Sequence, residues 1–362
     1  MNNKIRNILL KLEANGFDAY VIGGYVRDYL LGRESFDVDI CTNAKPNQIK
    51  EIFDLGSSTE DNYGRVYFKD SLYNYDITTF RREAKYVDRK PTELDFINDI
   101  NEDVSRRDFT INTIYMDKNG TIYDPFDGRV DLENKIIRCV GSINDKMVED
   151  PLRMLRLIRF ASSLNFEVEE NLKNYVKQNK QLITTLSFNR KKEELDKIFK
   201  DSNKLKGIEL INEYKLNDVL NINFNDSIVY TDDPLGIWAQ IDFSDEYSFS
   251  KVDTETINNI KKVINYGIID NVVLYEYGLY VCIIAGEILG TSRSIISDIY
   301  KNMPIYSSKD IALNGDDIID ILGIEPSGII KDIIFDLEVN ILNNILKNDY
   351  DTLKSYLLNN WR

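Results

Sequence analysis

Two aspartates on alternate residues of an apolar run, Phe36-Asp37-Val38-Asp39-Ile40, constrain this chain more than any other stretch. Side chains two apart on a β-strand share one face. Asp37 and Asp39 therefore converge, while Val38 and Ile40 turn the other way. Two carboxylates side by side are costly unless a cation neutralises them, and Mg²⁺ is held by one or two carboxylates together with substrate phosphates. Just upstream, Ala19-Tyr20-Val21-Ile22 reads as a strand that runs into Gly23-Gly24 and a helix-like Tyr25–Leu31. Glycine lets the backbone approach a ligand closely, and a helix start offers N–H groups to an anion. The stretch suggests a metal–triphosphate site. A surface turn with solvated aspartates explains the same letters.

Composition narrows the chemistry. The chain has no histidine among its 362 residues. Ser-His-Asp hydrolysis and histidine-ligated zinc are thereby excluded, and catalysis must run on carboxylates, cations, hydroxyls and bound metal. Cys41, Cys139 and Cys282 are scattered and odd in number, which fits small buried hydrophobes rather than a disulfide framework. No apolar run is expected to reach the roughly 20 residues that span a bilayer. The N-terminal Ile5/Ile8/Leu9/Leu12 pattern is amphipathic rather than a signal core, so a cytoplasmic protein of two or three domains is expected. The net charge of −15 is unevenly placed. Residues 1–200 carry 32 Lys+Arg against 34 Asp+Glu, leaving 13 against 26 for residues 201–362. The acidity belongs to the second part, and the first holds basic clusters able to meet phosphates.

Taken in order, residues 3–14 read as a helix, and a helix from Pro46 through Phe53 follows the opening strands. Gly64–Phe68 and Tyr73–Phe80 read as a hairpin. Asp76 on its second strand is a candidate third carboxylate or an ordinary strand aspartate. Residues 81–104 are polar and aperiodic, which suits a lid or a solvated connector. Arg107 and Asp108 at a short helix start, with Asn112 one turn on, suit a ribose or phosphate; a capping aspartate beside solvated arginines reads equally well. Gly120–Gly128 supplies turn chemistry, and Lys135–Val140 a further strand.

Glu149-Asp150-Pro151-Leu152-Arg153 opens a helix, with Asp150 suited to cap it and Pro151 to its first position. Arg153, Arg156 and Arg159 recur every three residues beside a Leu152/Leu155/Ile158 stripe. No Asp or Glu lies between Arg153 and Asn165, so a triphosphate or an RNA backbone is expected to satisfy these guanidiniums, the alternative being a solvated face. A helix over 189–199 follows. From 204 onward the chain reads as all-α, over 204–214, 234–240, 254–265, 271–290, 291–300, 315–323 and 328–358.

These stretches together resemble the class II nucleotidyltransferases, the bacterial-type CCA-adding enzymes and poly(A) polymerases of the polymerase-beta-like superfamily. The motifs match in order: Gly23-Gly-Tyr-Val-Arg-Asp28 with Asp37-Val-Asp39; Arg106-Arg-Asp-Phe-Thr-Ile-Asn112; Asp124-Pro-Phe-Asp-Gly128; Glu149-Asp-Pro-Leu-Arg153 through Arg159-Phe160; and the Arg190–Phe199 helix. The match is strong over residues 17–200. A weaker one reaches Leu313–Ile319 and Leu322-Gly-Ile-Glu-Pro326.

The resemblance implies an α+β fold: an N-terminal mixed α/β nucleotidyltransferase head (1–141), then an all-α neck (142–203), body (204–300) and tail (301–362). It implies Mg²⁺ on Asp37 and Asp39; Asp76 stays the candidate third catalytic carboxylate that its strand position offers. Gly24 and Arg27 would line the nucleotide phosphates or sugar, with Arg107 beside them; Asp108 and Asn112 stay candidates for a ribose or phosphate from their place at the short helix. Asp150 and Arg153 would meet the base edge, and Arg156 and Arg159 would support that site or the phosphates. The implied partners are CTP, ATP and the acceptor/T arm of tRNA, with neither membrane nor DNA. The implied reaction is template-independent addition of C, C and A to the tRNA 3′ end. A poly(A) polymerase or A-adding enzyme is the alternative, and an inactive RNA-binding module the third reading. Asp124–Gly128 and the Leu322–Pro326 region look more like CCA-adding enzymes. The 81–104 loop looks full length, which implies that terminal A addition is retained. Asn189-Arg190 stands where the family often has Glu-Arg.

Overall fold

The computed structural model describes residues 1–56, 64–83, 86–87, 90–91, 94–224 and 227–361, which form two compact units, Met1–Asn221 and Ile222–Arg362.

The first unit opens with α1 (Asn3–Ala14), whose start is capped by the Asn2 side chain accepting the Lys4 amide at 2.9 Å. Ile5, Ile8, Leu9 and Leu12 recur at helical spacing and are buried. There follow β1 (Ala19–Ile22), α2 (Gly24–Leu30), β2 (Asp37–Thr42), α3 (Pro46–Phe53), β3 (Arg65–Lys69) and β4 (Asn74–Thr79). The chain continues through β5 (Arg81–Glu83), β6 (Tyr86–Val87), β7 (Lys90–Pro91), β8 (Leu94–Phe96) and α4 (Ile100–Ser105) to β9 (Tyr115–Met116) and β10 (Ile122–Tyr123). Six of these strands make one mixed sheet in the order β10-β9-β1-β2-β4-β3. The expected hairpin is β3 with β4, antiparallel, with Tyr67 opposite Asp76. β2 lies parallel to β4, which sets Asp37 beside Asn74 and Asp39 beside Asp76. Val38, Ile40, Val66, Tyr75 and Ile77 are buried on one face of this part of the sheet. The alternate residues, the aspartates among them, take the other face.

The reading of residues 81–104 as aperiodic is corrected where they are described. β5 pairs with β8 and β6 with β7, both antiparallel, and α4 closes the segment. α4 forms because Asp99 accepts the Asn101 amide and Ile100 and Val104 find the core. Residues 84–85, 88–89 and 92–93, on which the lid reading partly falls, lie outside the described residues. The expected strand at 135–140 is only β11 (Ile136–Ile137). α5 (Gly128–Asn134) comes before it, and α6 (Ile143–Glu149) and α7 (Leu152–Leu164) lead on to its parallel partner β12 (Glu167–Val168). The Asp124–Gly128 motif builds the start of α5. The Asp124 carboxylate accepts the Gly128 and Arg129 amides at 2.7 and 2.9 Å. Gly128 also packs so closely that a Cβ would stand 2.3 Å from the Thr110 carbonyl oxygen. The unit is completed by α8 (Glu170–Asn179), α9 (Phe188–Lys200), α10 (Lys204–Glu213) and α11 (Asn217–Leu220).

Among its described residues the second unit is helical apart from one short antiparallel ladder, Ile222–Asn223 with Asp242–Phe243. Its long C-terminal helix, expected over 328–358, is two helices, Ile329–Leu342 and Tyr350–Asn360, because Asn344 takes the left-handed conformation between them (φ 58°). The expectation that no apolar run approaches membrane-spanning length is also corrected. Asn271–Leu289 passes by length and composition. Gly278, at φ 77° and ψ 163°, breaks that helix in the middle, and its buried residues include Val273, Leu274, Val281, Cys282 and Ile284. These features fit a kinked core helix. All three cysteines are buried and free, and burial pushes the Cys139 thiol up to about 11.

Candidate active site

The strand pairing assembles one polar face. Asp37 is exposed and its Oδ1 accepts from Asn74 Nδ2 at 2.8 Å. Asp39 is half-buried, and burial pushes its carboxyl above the ordinary range. The charge of Asp76 adds to this, and Arg107, Arg65 and the Gly24 amide oppose it. Asp76 is held by Arg65, whose Nε donates to Oδ1 at 3.2 Å and whose Nη2 pairs with Oδ2. Among the described residues, no three Asp, Glu, Cys or His side chains gather as a ready metal cage. The Asp37/Asp39 pair is what a divalent ion can use here, with substrate phosphates completing its shell. Asp39, whose burial outweighs the opposing Arg107, Arg65 and Gly24 amide, is also a group that a cation would relieve.

The turn before α2 crowds against this pair. Gly23 sits at φ 72° and ψ −129°, and a Cβ there would come 3.3 Å from Arg107 Nη1 and 3.4 Å from Asp39 Oδ2. Glycine at 23 thus answers both the backbone angle and the space. Arg107 follows the end of α4, and its Nη2 donates to Asp103 at 3.4 Å. Its Nε is buried and has no hydrogen-bond partner among the described residues, which leaves a donor for an incoming anion.

A hydrogen-bonded chain then ties α2 to α7. Arg27 Nη1 donates to Asn112 Oδ1 at 2.9 Å, Asn112 Nδ2 to Asp108 Oδ1 at 3.0 Å, and Arg156 Nε to Asp108 Oδ2 at 2.7 Å. Arg27, Asp108 and Asn112 are all buried. Burial alone would raise the Asp108 carboxyl. The Arg156 guanidinium, with hydrogen bonds from Asn112, Arg156 and the Phe109 amide, outweighs it and holds the group down at about 2. A carboxyl depressed in the folded state stabilises the fold above its unfolded pKa and loses that contribution as pH falls through the folded value. We therefore expect Asp108→Asn to cost about 2 kcal/mol at neutral pH. The deficit should shrink as pH drops from 4 towards 2, and urea melts across that range measure it. A deficit independent of pH would refute the assignment.

The arginines of α7 find carboxylates after all, which corrects the expectation that a ligand must satisfy them. Arg153 Nη1 donates to Glu149 at 2.6 Å and to the Lys146 carbonyl at 2.8 Å, and Nη2 donates to the Arg106 carbonyl. Arg156 pairs with Asp108, and Arg159 Nε donates to Glu194 of α9 at 2.7 Å. The guanidiniums of Arg27, Arg156 and Arg159 surround the Phe160 ring at 5.4, 5.3 and 4.2 Å. At the start of α7, Asp150 Oδ1 accepts the Leu152 amide at 3.2 Å, and Pro151 adopts helical angles. Arg190, in the first turn of α9, stands 3.6 Å from Asp150.

All of this opens on one cleft of about 1150 Å³, lined by Gly23, Gly24, Arg27, Asp39, Asp76, Arg107, Asp108, Asn112, Asp150, Arg153, Arg156, Arg159 and Arg190 among others. Every candidate residue from the sequence except Asp37 lines it. Asp37 instead lines a smaller cavity that shares Asp39 and Asp76. Sequence reasoning missed Arg65, Asp103 and Glu194 as partners. Strand alternation from Asp76 through the hairpin turn was the available signal for Arg65. No local signal pointed to Glu194.

Comparison with known proteins places this geometry. A family model described as the poly A polymerase head domain matches residues 19–138. A "Probable RNA and SrmB- binding site of polymerase A" model matches 165–224, and a tRNA nucleotidyltransferase domain 2 model matches 245–357. A CCA-adding enzyme of Staphylococcus haemolyticus is 33% identical, covering 99% of this chain and 98% of its own. One from Ligilactobacillus salivarius is 33% identical, with 96% and 93% covered. The crystal structure of the Bacillus stearothermophilus CCA-adding enzyme in complex with CTP superposes with a TM-score of 0.87 at 26% identity, over 99% of this chain and 96% of that one.

Proposed function

This chain belongs to the CCA-adding enzymes, and from that premise we infer that it adds C, C and A to the 3′ end of tRNA from CTP and ATP, releasing pyrophosphate. One observation carries the reading. A single cleft is lined both by Asp39, from the carboxylate pair on β2, and by Asp150, at the start of an arginine-bearing helix. The first supplies transfer and the second supplies choice.

Asp37 and Asp39 would hold a divalent metal, Mg²⁺ in our reading. When bound, such ions stabilise charge on the phosphate oxygens and favour ionisation of the attacking hydroxyl. The chain's own residues do the rest. The Gly23-Gly24 turn lets a triphosphate approach the backbone, and Arg107 offers its Nε and Nη1 beside Asp39. Arg27, Asp108, Asn112 and Arg156 form the rigid wall that fixes the nucleotide against those groups. Arg65 holds the Asp76 side chain in place on the same face, and Arg159 is braced by Glu194. Asp150 accepts from the exocyclic amino group that C and A share, and U and G present a carbonyl there. Arg153 lines the same cleft and would donate to ring acceptors, turning from Glu149 to do so.

In this reading the head spans 1–141, the neck 142–203, the body 204–300 and the tail 301–362. The two last parts meet the tRNA acceptor/T arm. Their excess of acidic residues favours shape and backbone contacts over phosphate pairing. The protein acts in the cytoplasm, without DNA or membrane.

A poly(A) polymerase shares the head, but the full-length relatives and the match at 245–357 favour CCA addition. The test supplies tRNA ending at the discriminator base with CTP and ATP, singly and together. Extension that stops after C-C-A is expected. An open-ended A tail would instead support the poly(A) reading, and no incorporation would support an inactive RNA-binding module.

A further inference from the structure

β3 carries two residues, Tyr67 and Lys69, that the reaction described so far does not use. Arg65, Tyr67 and Lys69 alternate along it, so basic, aromatic and basic side chains share one face. The strand register makes that face the one bearing the carboxylates. Lys69 lies opposite Asn74 and Tyr67 opposite Asp76, while Asn74 and Asp76 lie beside Asp37 and Asp39. Asp39, Asp76 and Tyr67 therefore form one row across three strands, which spans about 10 Å at the usual strand spacing.

Tyr67 presents much of its ring to solvent. It is 43% exposed, whereas its neighbour Val66 is fully buried on the opposite face. The Arg65 guanidinium lies 5.6 Å from its ring centre and helps fix it. A cavity of about 430 Å³ is lined by Tyr67, Lys69 and Asn74 together with Asp37, Asp39 and Asp76. It meets the arginine-lined cleft at Asp39 and Asp76, so the carboxylates have one cavity on either side.

We propose that Tyr67 is the stacking platform for the 3′-terminal base of the RNA acceptor, with Lys69 meeting its backbone. This rests on the reading of the chain as a CCA-adding enzyme and assigns the smaller cavity to the acceptor strand. The arginine-lined cleft is large and cationic enough for the triphosphate. The smaller one offers a single cation at its rim and an exposed ring, which suits a base and one phosphate. Aromatic rings interleaved with cations bind single strands without regard to sequence. An enzyme that must extend any discriminator base, then C, then C again, needs that tolerance. The row places the ring within reach of a base whose ribose presents its 3′-hydroxyl at Asp37 and Asp39.

The experiment compares wild type, Tyr67→Phe and Tyr67→Ala on a tRNA acceptor minihelix, with circular dichroism melts to verify folding. Tyr67→Ala should raise the KM for the minihelix about tenfold, the scale of one lost stacking contact. The KM for CTP should stay unchanged, and Tyr67→Phe should behave as wild type. A minihelix ending in 2-aminopurine should be quenched on binding to wild type and Tyr67→Phe but not to Tyr67→Ala. Unchanged minihelix KM and quenching in Tyr67→Ala, or an effect confined to the CTP KM, would overturn the proposal. A wild type that incorporates neither C nor A would refute the CCA-adding reading itself, so the two failures are distinguishable.

Discussion

Asp37→Ala and Asp39→Ala should each lower nucleotide incorporation by about a thousandfold or more while leaving the fold intact. The size follows from what the pair supports. Stabilising transition-state charge on a transferring phosphoryl group through metal ions is worth several kcal/mol. Each 1.36 kcal/mol is a factor of ten in rate. The two variants should differ in stability. Asp37 is exposed on its strand, so its loss should leave the melting temperature nearly unchanged. Asp39 is half-buried, with burial and Asp76 both raising its carboxyl, so removing it should be neutral or stabilising. Single-turnover transfer of labelled CTP, beside thermal melts, measures both effects. A residual rate within tenfold of wild type for either variant would remove that carboxylate from the catalytic pair.

The legibility of this site in the sequence followed from how local each feature is. Asp37 and Asp39 could be placed on one face from strand alternation alone, and Gly23-Gly24 from the demands of a tight turn. The α7 start could be read from Asp150-Pro151. What could not be read was pairing between distant segments. β2 is parallel to β4, so Asp76 stands beside Asp39 although the two are 37 positions apart in the chain. No periodicity encodes such a register. The same limit explains the arginines of α7. Within their own helix they have no acidic neighbour, and the reading that a ligand must satisfy them followed. Asp108 and Glu194 supply the charges for Arg156 and Arg159 from other elements, whereas Arg153 takes Glu149, only four residues upstream. The helical second unit failed in a different way. Apolar stretches were legible, but the breaks at Gly278 and Asn344 depend on single backbone conformations. Asn and Gly permit those conformations without requiring them.

The choice of base provides the second large effect, and it should separate from catalysis. Asp150 stands in the same cleft as Asp39, yet no hydrogen bond joins the two among the described residues. Its Oδ1 takes the Leu152 amide, and Arg190 approaches at 3.6 Å. That arrangement fixes the Asp150 side-chain oxygens at the mouth of α7, where an exocyclic amino group can reach them. A hydrogen bond to a charged group is worth about 1.5–3 kcal/mol. Asp150→Ala should therefore narrow the preference for CTP and ATP over UTP and GTP by about 10- to 100-fold, while incorporation of some nucleotide persists. Asp150→Asn sharpens the test. Its amide can donate to a carbonyl as well as accept, so it should admit UTP better than alanine does. Arg190→Ala should move selectivity in the same direction by a smaller amount, since it leaves the carboxylate in place but unfixed. Competition between labelled CTP and UTP at the first addition step reads all three variants. If Asp150→Ala keeps wild-type selectivity while slowing every nucleotide equally, Asp150 supports the start of α7 and another group reads the base.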